Sequence, residues 1–210
     1  MFLERLAQKK DEFLDQVEMR KNGMLPTFTK KDNMDTLVFK EVRYLYIIPR
    51  LLEMIDDIKV VMIKRDPIAV LNSWVNAPKE FDSQWDINEE WYFATKKNRY
   101  MPENYYGYGK WKEAMAMFIE MVTLYPNKAI LTEYEELNKN TIGETKRLFE
   151  FCNIDYTENT ELFIEASHRN TIENAYSVYR KDGFVKKEQM LPERIKELII
   201  NDISWNGWLR

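Results

Sequence analysis

The sequence predicts an α/β fold, a parallel sheet flanked by helices, on two observations. Apolar, β-branched runs alternate along the chain with stretches whose apolar residues recur at helical spacing. One run, IKVVMIK at 58–64, is almost unbroken in apolar character, as expected of a strand buried on both faces of a parallel sheet. Strands alternating with helices pack as layers around one core. At 210 residues the chain is long enough for such a core. No repeat, low-complexity stretch or linker divides it, so 1–210 reads as a single domain.

Residues 1–20 place Phe2, Leu3, Leu6, Phe13, Leu14 and Val17 at helical spacing, with a charged face left to solvent. Gly, Pro and Asn in KNGMLPTFTKKDN make a loop. DTLVFK, 35–40, reads as a short strand. EVRYLYIIPRLLEMI, 41–55, reads as helical, with Pro49 either kinking it or opening a second helix. IKVVMIK is the next strand, and DPIAVLNSWV, 66–75, the next helix. Residues 78–108 are irregular, with a short helix around INEEWYFATKKN. KWKEAMAMFIEMVTLY, 110–125, is an amphipathic helix, and KAILTEY, 128–134, a third strand. NTIGETKRLFEFCN, NTELFIEASHRN and LPERIKELIIND are helices, each marked by an Asn cap or a first-turn proline.

Thirty-one basic against 35 acidic residues give a net charge of -4, so no global basic field exists for nucleic acid. Any anion must be held by a local cluster. The single cysteine, Cys152, excludes a disulfide within the chain, and the lone His168 excludes a multi-histidine metal site. No apolar run approaches membrane-spanning length, and the N-terminal segment is too charged for a signal peptide. The expected location is the cytoplasm, with neither membrane nor nucleic acid as partner. Aromatics are abundant, and Trp85, Trp91, Tyr92, Tyr105, Tyr106 and Tyr108 gather in the irregular segment. They either line a pocket for a flat, apolar acceptor or form a lid packed on the core.

The junction VVMIKRDPIAVLNSW, 60–74, concentrates the chemistry. Asp66 is a good N-cap and Pro67 a good first helical residue, which puts Arg65 at the carboxyl end of a central strand. In open α/β sheets that edge is where ligands bind. Positions 70 and 73 return to the helix face of Asp66, so Ser73 can look back toward the strand end. An arginine fork, a hydroxyl and the positive end of a helix together suit a phosphate. The plainer reading is a capped turn whose arginine pairs with a surface carboxylate and whose serine is incidental.

An apolar strand, then R-D-P, then a serine eight residues after the arginine resembles the 3′-phosphate motif of the PAPS-dependent sulfotransferases. Other stretches are similar to that family in the same order, over about residues 36–210. They are VFKEVRYLYIIPRLLEMIDDIKVVMIKRDP, YGYGKWKEAMAMFIEMVTLYPNKAILTEYEEL, TKRLFEFCNI and SVYRKDGF. The resemblance implies a three-layer fold related to the nucleotide kinases. It also implies transfer of a sulfuryl group from PAPS, leaving the bisphosphate PAP, to a hydroxyl or amine of a small-molecule, glycan or peptide acceptor. Matched residue by residue, Arg65 and Ser73 would hold the 3′-phosphate, and Arg180, Lys181 and Gly183 would close over it. Tyr134 would contact the adenine, and Lys40 would stabilise the transferring group. The family's K-T-H corresponds to KEV here, which puts Val42 at the histidine position and makes the neighbouring Glu41 the candidate general base.

The family's strand, Gly-rich turn and helix for the 5′-phosphosulfate have no counterpart in the sequence. YGYGKW lacks the phosphate-loop spacing and follows no strand. The expectation is therefore an N-terminally shortened sulfotransferase or a protein with half the cofactor site. In either case the sheet would lack a central strand, and the first helix or a second copy of the chain would have to cover the exposed apolar surface. The alternative function is a non-catalytic nucleotide-binding or interaction protein on the same fold. A nucleotide kinase relative is disfavoured by the missing Walker-type loop. Plain structural readings stand beside each site residue: Glu41 as a surface carboxylate, Lys40 as a strand-end lysine, Tyr134 as core, Arg180 and Lys181 as a basic loop. Glu135 and Glu136 read as solvent-facing carboxylates rather than an acid pair.

Overall fold

In the computed structural model, residues 17–22, 36–169 and 190–206 are described. In chain order the elements are α1 (Val17–Lys21), a 3-10 turn (Leu45–Ile47), α2 (Ile48–Met54), β1 (Val60–Lys64), α3 (Pro67–Val75), α4 (Ile87–Glu90) and α5 (Thr95–Asn98). They continue with α6 (Tyr108–Leu124), β2 (Ala129–Glu133), α7 (Tyr134–Lys139), α8 (Thr141–Phe151), α9 (Glu158–Arg169) and α10 (Glu193–Asn206). The chain divides into two compact units, one of residues 1–40 and 156–185, the other of 41–155 and 186–210.

The second unit is α/β. Its sheet pairs β1 and β2 in parallel, in register from Val60 opposite Ala129 to Lys64 opposite Glu133. The apolar run at 58–64 forms its strand over Val60–Lys64, but only one face is in the core: Met62 is buried, while Ile63 on the opposite face is 51% exposed rather than buried as a strand covered on both faces would be. Leu52 of α2, Leu71 and Trp74 of α3, Trp111 and Met115 of α6, and Ile195 and Ile199 of α10 join Met62 and Ala129 in one buried cluster. Two side chains stitch the layers. Lys128 Nζ donates to the carbonyls of Leu52 and Ile55 at 3.1 and 3.0 Å, closing the C-terminal end of α2. Asn72, buried in α3, accepts from the Leu191 amide at 2.9 Å just before α10.

Three sequence expectations are corrected. Residues 36–40 form no strand; they are exposed and unpaired with any described strand. An alternating apolar run becomes a strand only where a neighbour supplies a ladder, and local pattern cannot specify that neighbour. The helix expected around 87–98 is two single turns, because Ala94 sits in the left-handed region at φ 48° between them. Buried Asn98 holds that break open: its Nδ2 donates to the Phe93 and Tyr106 carbonyls, and its Oδ1 accepts from the Tyr106 amide. Tyr134 opens α7 rather than ending β2. Pro49 settles its own alternative: it lies in the first turn of α2 and starts that helix.

Of the aromatics of 74–111, Trp74, Phe81, Tyr108 and Trp111 are in the core and Trp85, Trp91, Tyr92 and Tyr106 pack against it, while Phe93 and Tyr100 are exposed. Trp91 stacks on Tyr108 and Tyr108 on Trp111, with centroids 6.0 and 5.8 Å apart, and Tyr108 is 1% exposed. The Tyr108 hydroxyl donates to Asp202 at 2.8 Å, so burial and that carboxylate hold its pKa well above the ordinary tyrosine value. Tyr106 donates to Glu80 at 2.7 Å. Burial raises the Glu80 pKa, but the bonds from Lys97 and Tyr106 outweigh it and hold the carboxyl below its ordinary value.

The glycines of YGYGKW serve this packing. Gly107 precedes α6 at φ 86°, and a Cβ there would lie 2.6 Å from the Tyr92 carbonyl oxygen. That oxygen cannot retreat, since it accepts from the Gly109 amide at 2.8 Å, while the Tyr108 amide donates to the Trp91 carbonyl at 2.8 Å. The amides at this helix start are thus bonded to the backbone and are not a phosphate cradle. Gly107→Ala is expected to cost about 1–3 kcal/mol in urea unfolding, from a left-handed alanine plus the displaced carbonyl.

Candidate functional site

Residue types and chain direction build the site at the carboxyl end of β1. The strand delivers Arg65 just past its last ladder pair, Lys64 with Glu133. Those two side chains also form an ion pair, which satisfies the neighbouring positive charge. Asp66 caps α3 as expected, its Oδ1 accepting from the Ala69 amide at 2.7 Å, with Pro67 in the first turn. β2 ends beside β1 and turns into α7, which brings Tyr134 to Arg65. The guanidinium carbon sits 4.3 Å from the Tyr134 ring centroid, a cation–π stack.

Arg65 is half-buried and its Nε is fully buried with no hydrogen-bond partner. It forms no ion pair among the described residues. Among the described residues, the plain reading in which this arginine pairs with a surface carboxylate finds no partner for it. A buried guanidinium donor left unsatisfied costs free energy, and an anion at this edge would remove that cost. Ser73 lies on α3, exposed, with no hydrogen-bond partner for its hydroxyl among the described residues.

The structure brings Arg65 and Tyr134 together and places Ser73 on the helix that follows Arg65. Lys40 belongs to the first unit, exposed and outside any regular element. Glu41 belongs to the second unit and is turned onto its own backbone. Its Oε1 accepts from the amides of Val42, Arg43 and Tyr44 at 2.8, 2.7 and 3.1 Å. Burial raises its pKa, but the three amide bonds and the Arg43 charge outweigh this and hold it below the ordinary carboxylate value. A carboxylate so held is a weak proton acceptor. Arg180, Lys181 and Gly183 lie outside the described residues. The adjacent acids at 135 and 136 are no pair: Glu135 accepts from the Asp66 amide at 3.1 Å, and Glu136 faces Lys139 at 3.5 Å.

Sequence reasoning missed two residues at this edge. Trp111 donates from Nε1 to the Arg65 carbonyl at 3.0 Å, and Glu135 grips the amide next to it. Both reach the site from distant parts of the chain, which no local pattern signals. A hollow of about 450 Å³ in the first unit is lined by Tyr156, Thr157, Glu158, Glu161, Leu162 and Glu165. Its three carboxylates repel anions, so it does not suit a phosphorylated ligand. Burial raises the Cys152 pKa against the opposing pull of Lys59, which disfavours the thiolate form. Among the described residues no cluster of His, Cys, Asp and Glu could hold a metal ion, and no helix is long and apolar enough to cross a membrane.

A parallel sheet with an arginine at its carboxyl edge that makes no ion pair among the described residues defines an α/β protein with a candidate anion site. The chain belongs to the sulfotransferase family, whose sequence model matches residues 2–158. Its class is therefore that of a transferase. The matched span takes in Lys40, Glu41, Arg65, Ser73 and Tyr134, begins upstream of the motif resemblance at about 36, and ends before the late basic loop. No curated protein and no solved structure matches the chain.

Proposed function

We propose that the chain transfers a sulfuryl group from PAPS to a hydroxyl or amine of a small-molecule, glycan or peptide acceptor in the cytoplasm. The observation that carries this reading is the buried, partnerless Nε of Arg65 at the carboxyl edge of the sheet. The residues present fit the donor's 3′-phosphate: a guanidinium fork, the N-terminal end of α3 and the open Ser73 hydroxyl. PAPS, when bound, supplies an activated sulfuryl group and leaves as adenosine 3′,5′-bisphosphate once the acceptor takes that group. Arg65 and Ser73 hold the 3′-phosphate. Tyr134 offers its ring to the adenine, and Arg180, Lys181 and Gly183 close over the nucleotide. Lys40 balances negative charge at the transferring group, and Glu41 takes the acceptor's proton.

One observation favours a second reading. Three amides occupy Glu41 Oε1, so the proposed base is weak, as in a protein that binds the nucleotide without turnover. Calorimetric titration with adenosine 3′,5′-bisphosphate and with adenosine 5′-monophosphate tests the shared premise. The bisphosphate is expected to bind at least about tenfold more tightly, since only it reaches Arg65 with a charged phosphate. Equal affinities would remove the 3′-phosphate site. Sulfur-labelled PAPS then separates the two readings, by label appearing on an acceptor or by binding alone.

A further inference from the structure

One peptide group at the site is held on both of its polar atoms by side chains from other elements. The carbonyl of the Arg65–Asp66 peptide accepts from Trp111 Nε1 at 3.0 Å, and its N–H donates to Glu135 Oε1 at 3.1 Å. The partners lie 46 and 69 residues away in sequence, on α6 and in the first turn of α7. This peptide falls in a gap between two regular elements. The β1 ladder ends at Lys64, and α3 begins at Pro67. Neither the ladder nor the helix fixes its plane, yet that plane sets where the Arg65 side chain leaves the backbone.

We propose that Trp111 and Glu135 are positioning residues for the anion site: they fix the Arg65–Asp66 peptide plane, and so the aim of the guanidinium, without touching the ligand. This rests on the reading of Arg65 as the phosphate-binding residue. Both holders are themselves held. Trp111 is buried and stacks within 14° of parallel on Tyr108, whose hydroxyl is bonded to Asp202. Glu135 follows Tyr134, so one turn of α7 supplies the ring under the guanidinium and the acceptor for the next amide. A movement of that turn shifts both contacts at once.

The sign of one substitution separates positioning from charge. Glu135 is an anion beside an anion site, so deleting it for electrostatic reasons alone would strengthen binding. A positioning role predicts the opposite. In calorimetric titrations of the full chain with adenosine 3′,5′-bisphosphate, Glu135→Ala is expected to bind about 3- to 10-fold more weakly, the scale of one lost hydrogen bond. Glu135→Gln, which keeps the acceptor and loses the charge, binds as the wild type or more tightly. Trp111→Phe, which keeps a ring and loses the donor, weakens binding as Glu135→Ala does. Glu135 is exposed, so its variants keep the fold even where Trp111→Phe does not. Amide exchange at Asp66 speeds up in Glu135→Ala and not in Glu135→Gln. Wild-type binding with an unchanged or tightened Glu135→Ala would overturn the positioning role alone. A folded wild type that does not bind would overturn the functional reading and this role with it.

Discussion

Arg65→Ala is expected to weaken adenosine 3′,5′-bisphosphate binding by about 2–3 kcal/mol, or about 30- to 150-fold, in calorimetric titration. The size follows from where the side chain sits. Its guanidinium is half-buried and stacked on Tyr134, with no carboxylate to neutralise it among the described residues. A charge-assisted bond from such a donor is worth about twice a neutral one, because water competes poorly for it. The same geometry orders the variants. Arg65→Lys keeps a charge but loses the planar fork and the ring stack, so it should fall between wild type and Arg65→Ala. Tyr134→Phe keeps the ring under the guanidinium and should cost little by way of Arg65. Arg65→Ala binding as tightly as the wild type would reduce the strand end to a capped turn, with the anion bound elsewhere.

How far the sequence carried this site depends on the range of the forces involved. β1 was legible because an unbroken β-branched run has few other folds, and the start of α3 because Asp66-Pro67 makes its cap with the Ala69 amide three residues on. Those signals are local. The 36–40 segment failed because a strand is defined by its neighbour. The region 87–98 failed because its break at Ala94 is enforced by Asn98, whose bonds reach Phe93 on one side and Tyr106 on the other. Glu41 was read as a candidate base or a surface carboxylate, and its bonds to the amides of Val42, Arg43 and Tyr44, a pattern more usual for Ser, Thr, Asp or Asn, were not foreseen. Trp111 and Glu135 show the limit most clearly. Each acts on a main-chain atom, which carries no residue identity, so no pattern in the sequence could mark the pairing.

Leu52→Ala is expected to lower the stability of the folded chain by about 2–5 kcal/mol in urea denaturation, the range for a leucine cut from a close-packed core. Leu52 is 0% exposed in α2, in one cluster with Met62 of β1 and Ala129 of β2. The cavity cannot close by moving α2 onto the sheet. Lys128, next to Ala129, ties the carbonyls of Leu52 and Ile55 at 3.1 and 3.0 Å and holds the end of the helix in place. A site that collapses poorly sits toward the upper part of the range. Leu52→Met, nearly equal in volume, should cost less than about 1.5 kcal/mol. Leu124→Ala, at a side chain 60% exposed near the end of α6, should stay within about 0.5 kcal/mol. The ordering of the three variants is the test, because it depends on packing and not on composition. If Leu52→Ala and Leu124→Ala cost the same, α2 does not close the face of the sheet, and the strand end that carries Arg65 would lack the rigid support its charge requires.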